Sequence, residues 1–138
     1  MTRIARILLG LVFVVFSANY FVPFLPAPSN MPPGAIAFAM AFVGSGFMTF
    51  IKVIEMASGL ALLANRFTPL ALALLAPIVV GIVVFHLLLA PSGMPIAGLL
   101  LALEVVLAWS YRRSFAPMLR ARVTPQEQTQ TAELARAA

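Results

Sequence analysis

Residues 47–65, FMTFIKVIEMASGLALLAN, are apolar enough to lie inside a membrane, yet they carry Lys52 and Glu55. At a spacing of three, the two side chains leave the same face of a helix one turn apart. An ionisable group in hydrocarbon costs at least about 2.5 kcal/mol, and it persists when it is partnered or functional. Ser58 and Gly59 fall on the same stripe, and Ala57 and Ala61 repeat at four-residue spacing, small residues that let a second helix approach. This stretch therefore predicts a helix with one face turned inward.

Four further apolar runs accompany it. Residues 7–22 read as span one, following two arginines at Arg3 and Arg6. A basic start and an apolar run also describe a signal peptide, but Phe16-Ser17-Ala18 is a poor cleavage site, so we read a retained helix. Residues 23–33 hold five prolines and no charge, an extracytoplasmic loop. Residues 34–46 are too short to span and predict an interfacial or re-entrant helix before span two, residues 47–63. Span three covers residues 69–89, with Pro77 and Gly81 predicting a kink or a close contact. Span four covers residues 96–111 and ends on the aromatic anchors Trp109 and Tyr111.

The predicted fold class is all-α, an integral membrane four-helix bundle with both termini cytoplasmic. Arg3, Arg6, Arg66 and the arginines after span four fall on one side, and the two loops on the other carry no cation. Arg112, Arg113, Arg120 and Arg122 are interleaved with Phe115, Met118 and Leu119, an amphipathic segment suited to an anionic membrane surface. Residues 1–122 thus form the membrane domain and residues 123–138 a polar cytoplasmic tail. With 62% hydrophobic and 9% charged residues, the chain lies far from the roughly 25% charged of a soluble domain. The net charge of +5 comes from arginines flanking apolar runs, which gives nucleic acid no footing as a partner. Without cysteine, disulfides, thiol relays and cysteine-ligated clusters are excluded.

At ~1.5 Å per residue the polar groups can be placed by depth. Lys52 and Glu55 fall roughly 8 to 14 Å below the outer face, Glu104 roughly 12 Å, and His86 and Asn19 within about 6 Å. Four spans then contribute to one polar layer in the outer half. Lys52 and Glu55 read either as a self-neutralising pair that gives the bundle specificity or as part of a site. Glu104 has no cation in its own span and needs a partner from another helix or a neutralising proton. His86 reads as a satisfied histidine near the interface or as a ligand-binding group, and Asn19 as interhelical glue. One histidine and scattered carboxylates make no metal motif, and the seven methionines are scattered like packing residues.

IKVIEMASGLALLANRFTPLALALLAPIVVGIVVFHLLLAPSG, followed by LALEVVLAW and YRRSFAPML, resembles the DoxX family of small bacterial membrane proteins. The likeness runs from about Arg3 to Leu119, and Gly81 stands where relatives often carry asparagine. The resemblance implies a four-helix, multi-pass subunit of the bacterial inner (plasma) membrane, associated in some members with quinone-linked oxidoreductases, and no catalytic residue is carried over from it. Two functions emerge as expectations. One is a redox-linked subunit binding a quinone or another small amphiphile at Lys52, Glu55, His86, Glu104 and Asn19, with a soluble or membrane partner supplying electrons. The other is a non-enzymatic scaffold or small transporter whose charged layer is structural. The lipid bilayer and a second copy of the chain complete the candidate partners.

Overall fold

The computed structural model describes residues 2–26 and 30–121; Arg122 and the expected tail at 123–138 lie outside them. Among the described residues every regular element is helical. They are α1 (Thr2–Phe21), α2 (Pro33–Gly44), α3 (Phe47–Leu63), α4 (Thr68–Leu88), α5 (Met94–Ser110) and the one-turn α6 (Arg112–Phe115). Tight 3-10 turns occupy Pro91–Gly93 and Ala116–Leu119.

Local chemistry sets the ends of these helices. After α1, the Asn19 side-chain oxygen accepts hydrogen bonds from the Phe24 and Leu25 backbone N–H groups at 2.9 and 2.7 Å, steering the chain out of the helix. Asn19 thus organises a loop rather than joining two helices, a correction to the interhelical role expected of it. Pro33 opens α2, where its missing N–H costs nothing. Gly46 then adopts a left-handed φ of 77°, and α2 and α3 diverge by 83°. At the other end of α3, Asn65 and Phe67 take φ values of 55° and 54°. The Arg66 N–H closes this turn on the Ala61 carbonyl at 3.0 Å.

α1 packs against α3 and α5, α4 packs against the same two helices, and α2 rests on α3. Leu9, Phe13, Leu62, Leu72, Leu75, Val79, Leu100 and Leu107 fill the space between them. α1 and α3 approach each other closely at Gly10 and Gly59. A Cβ added at Gly59 would lie 3.0 Å from the Gly10 carbonyl oxygen and 2.9 Å from Val14 Cγ2. The small stripe of α3 therefore works as expected. Gly81 does not, since a Cβ there would meet nothing within 4 Å. α4 also continues through Pro77 as one helix.

Large apolar side chains also cover the outward faces: Leu8 and Leu11 on α1, Leu70 and Val84 on α4, Leu99 and Val105 on α5 are all exposed. Among the described residues α1, α4 and the stretch Pro91–Ser110 are long and apolar enough to cross a membrane, and α2 with α3 qualifies as a broken span. Three or four such helices, apolar on both faces, suggest a multi-pass membrane protein. Thr2 and Ser110 hydroxyls lie 3.5 Å apart, and Arg6 bonds to the Leu62 carbonyl. The start of α1, the end of α3 and the end of α5 therefore share one end of the molecule.

Candidate functional site

The site grows from the second turn of α3. Lys52 and Glu55, three residues apart, meet at 2.6 Å between Nζ and Oε2. Ser17 reaches the same oxygen from α1, its hydroxyl donating at 3.2 Å. Glu55 is 2% exposed, so its charge depends on these two donors; an ionised carboxylate sealed from water without them would cost several kcal/mol. Lys52 remains 18% exposed along its side chain and turns toward open space.

His86, in the last turn of α4, is fixed by the tight turn beyond the helix end. Its Nδ1 lies 2.9 Å from the Ala90 carbonyl oxygen, across the turn that leads into α5. Gly93 lies so close beneath the ring that a Cβ at that position would overlap Nδ1, Cε1 and Nε2. The glycine is needed here for close approach.

Two cavities meet at these groups. A strongly apolar groove of about 860 Å³ runs between α4 on one side and α2 with α3 on the other, past Phe38, Phe42, Pro77, Gly81 and Phe85. An inner crevice of about 180 Å³ is lined by Val12, Phe13 and Phe16 of α1 and by Ile96 and Leu100 of α5. Lys52, Glu55, Ile82 and His86 line both. The missing side chain of Gly81 keeps the groove open, the use its position serves in place of helix contact.

Of the five expected site residues the structure brings together Lys52, Glu55 and His86. Asn19 is engaged in its loop, and Glu104 lines neither cavity. The single polar layer expected from depth splits because α1 and α5 are in a different register. With Thr2 level with Ser110, Glu104 sits ~9 Å from that end and Ser17 ~22 Å at 1.5 Å per residue, a separation of about 13 Å. The tight turn at Pro91–Gly93 is the cause. It brings the first turns of α5 to the level of His86, so that Ile96 and Leu100 line the crevice while Glu104 falls a turn below. Glu104 is 5% exposed on the face it shares with Leu100 and Leu107, and neither of its oxygens has a hydrogen-bond partner among the described residues.

One buried cation escaped the sequence reading. Arg6 is 7% exposed, and its guanidinium donates to the Leu62 carbonyl and, at 3.4 Å, to that of Leu63. It faces the negative pole at the end of α3, giving the Leu63 carbonyl a donor and the Leu62 carbonyl a second one beside the Asn65 N–H at 3.2 Å. Its place one and three turns before Gly10 and Ser17, on one α1 stripe, was the available signal. Arg112, Arg113 and Arg120 are exposed, as expected, and Arg112 stacks over the Trp109 ring at 5.2 Å. Among the described residues no three His, Cys, Asp or Glu side chains come together as a metal site. Comparison with family models, with curated proteins and with solved structures gives no match.

Proposed function

We propose that this chain is a membrane subunit of a quinone-linked or other redox assembly, holding a small amphiphile where the apolar groove meets Lys52, Glu55 and His86. The carrying observation is that junction. Groove and crevice share four residues, three of them polar, so one ligand can place its tail against hydrocarbon-like walls and its head beside a donor and an acceptor. Sites for small molecules are of this kind, mostly apolar with a few convergent polar groups, and about 860 Å³ lies within their usual size. The chain resembles the DoxX family over the stretches quoted above, which favours the quinone within this class by analogy alone. A bound quinone supplies reversible two-electron chemistry; the chain's own residues bind and orient its head. Electrons come from a partner, because no redox centre is evident among these residues.

In this proposal α1, α3, α4 and α5 form a four-helix bundle of the bacterial inner membrane, with both termini in the cytoplasm. Arg3, Arg66, Arg112, Arg113 and Arg120 support that orientation, since the elements that carry them share one end of the molecule. A cysteine introduced at Ser92 should react with an impermeant maleimide in intact cells. Labelling only after lysis reverses the orientation.

Purification in mild detergent followed by mass spectrometry of extracted lipids tests the binding function. A ring-bearing amphiphile should accompany the native chain and be depleted from His86→Ala. Recovery of bulk phospholipid alone ends the proposal. A scaffold or small transporter is the second reading, favoured by one observation: Lys52 and Ser17 already satisfy Glu55, so the pair is complete without a ligand.

A further inference from the structure

We infer that the head group this site selects is neutral and carries a hydroxyl that donates a hydrogen bond to Nε2 of His86. The class is a phenol or hydroquinone on an apolar chain, in preference to the carbonyl-only form or a fatty acid anion. This rests on the amphiphile reading of the site and deepens it.

The tautomer carries the inference. Ala90 offers a backbone carbonyl, which can only accept, so Nδ1 must be the donor in the 2.9 Å contact. A neutral imidazole has one N–H, and Nε2 is then left with a lone pair. Nε2 makes no hydrogen bond among the described residues, and it is not sealed off by protein. Gly93 beneath the ring and Ala90 at its edge hold this arrangement. A ring reversal would surrender the Ala90 hydrogen bond. A carbonyl oxygen brought up to Nε2 would set acceptor against acceptor, whereas a hydroxyl completes the pair.

Charge and size narrow the class further. Lys52 keeps two N–H donors beyond the one given to Glu55, and these can take an oxygen of the head group. Its charge is cancelled by Glu55, so the site holds no net attraction for an anion. An apolar cavity of about 150 Å³ takes a benzene ring, and the crevice, at about 180 Å³, has room for one ring with small substituents. A fused-ring head exceeds it unless the head stays in the groove.

The test uses three probes sharing a ten-carbon chain: a para-alkylphenol, its O-methyl ether and the corresponding alkylbenzoquinone. Binding is measured by fluorescence or calorimetry on the full-length chain in detergent. The phenol should bind about tenfold more tightly than the ether and the quinone, the worth of one otherwise unmade hydrogen bond. In His86→Phe, which keeps a ring against Gly93, the ratio should fall toward one while the ether binds as before. Gly93→Ala, a change at a positioning residue, should lower the same ratio by displacing the ring. Equal binding of phenol and ether to the native chain overturns the inference and leaves the amphiphile site standing, as does a ratio that persists in His86→Phe. Failure of all three probes to bind overturns both.

Discussion

Replacing Lys52 by methionine keeps most of the side-chain volume and removes the charge that faces Glu55 at 2.6 Å. Glu55 then has only the Ser17 hydroxyl, at 3.2 Å, while remaining 2% exposed. A charge stranded in this way costs about 2.5 kcal/mol on the lenient membrane-insertion scale and up to about 5 kcal/mol from broken buried pairs. About 3 kcal/mol is a shift of roughly 150-fold in the folding equilibrium, a large share of the ~5–15 kcal/mol that holds a domain of this size. Adding Glu55→Leu removes the stranded group, so the double variant should recover most of the loss. Ser17→Ala alone should cost about 1.5–3 kcal/mol, the value of a hydrogen bond to a charged acceptor, and should cost almost nothing once Glu55 is leucine. Reversible unfolding in mixed micelles, followed by circular dichroism, reads the single variants and both doubles. A double variant less stable than either single one, or a Ser17→Ala effect unchanged by the loss of Glu55, refutes the three-residue network.

Other positions give independent checks in the same unfolding assay. Gly59→Val should destabilise by about 1–3 kcal/mol, because the new atoms meet the α1 backbone, whereas Gly81→Ala, facing open space, should be neutral or stabilising by up to ~1 kcal/mol. Arg6→Met should cost about 1–3 kcal/mol by leaving the Leu63 carbonyl without its donor and the Leu62 carbonyl with the Asn65 N–H alone. Glu104→Leu should stabilise by about 1–3 kcal/mol, the penalty of a buried polar group without a partner; a loss of that size would reveal a partner for its carboxyl group.

The difference between what sequence reading reaches and what it misses lies in the range of the interaction. Lys52 and Glu55 were legible as a pair because three residues on a helix fix their meeting, whatever the rest of the chain does. The bounds of α3 were legible because glycine at one end and Asn-Arg-Phe at the other end a helix by local conformation. Arg6 was not, because composition assigns a terminal arginine to the aqueous flank; only the packing of α1 on α3 shows that its guanidinium meets the last carbonyls of α3. Glu104 was misplaced for a different reason. Depth counted from the start of a span assumes that all spans start at one level, and the turn at Pro91–Gly93 breaks that assumption by two helical turns or more.

The broken span explains why a site forms at this level. α3 alone is 17 residues, about 26 Å, short of the ~30 Å that hydrocarbon requires. The chain makes up the difference with α2, turned aside by 83° at Gly46, where a left-handed φ excludes most side chains. Had α2 continued α3 in line, no helix would lie across the opening between α3 and α4. Turned as it is, α2 places Phe38 and Phe42 along one wall of the groove, and Gly81 leaves a gap among the α4 side chains of the facing wall. Lys52 and Glu55 occupy the first turns of α3 just beyond the bend, so the ion pair sits where the groove opens inward. A purely structural pair gains its stability from being sealed, as Glu55 is by Ser17. Keeping Lys52 partly exposed, at the meeting of two cavities that His86 also lines, adds nothing to that stability, and on the proposed function it leaves Lys52 and His86 to be answered by a ligand.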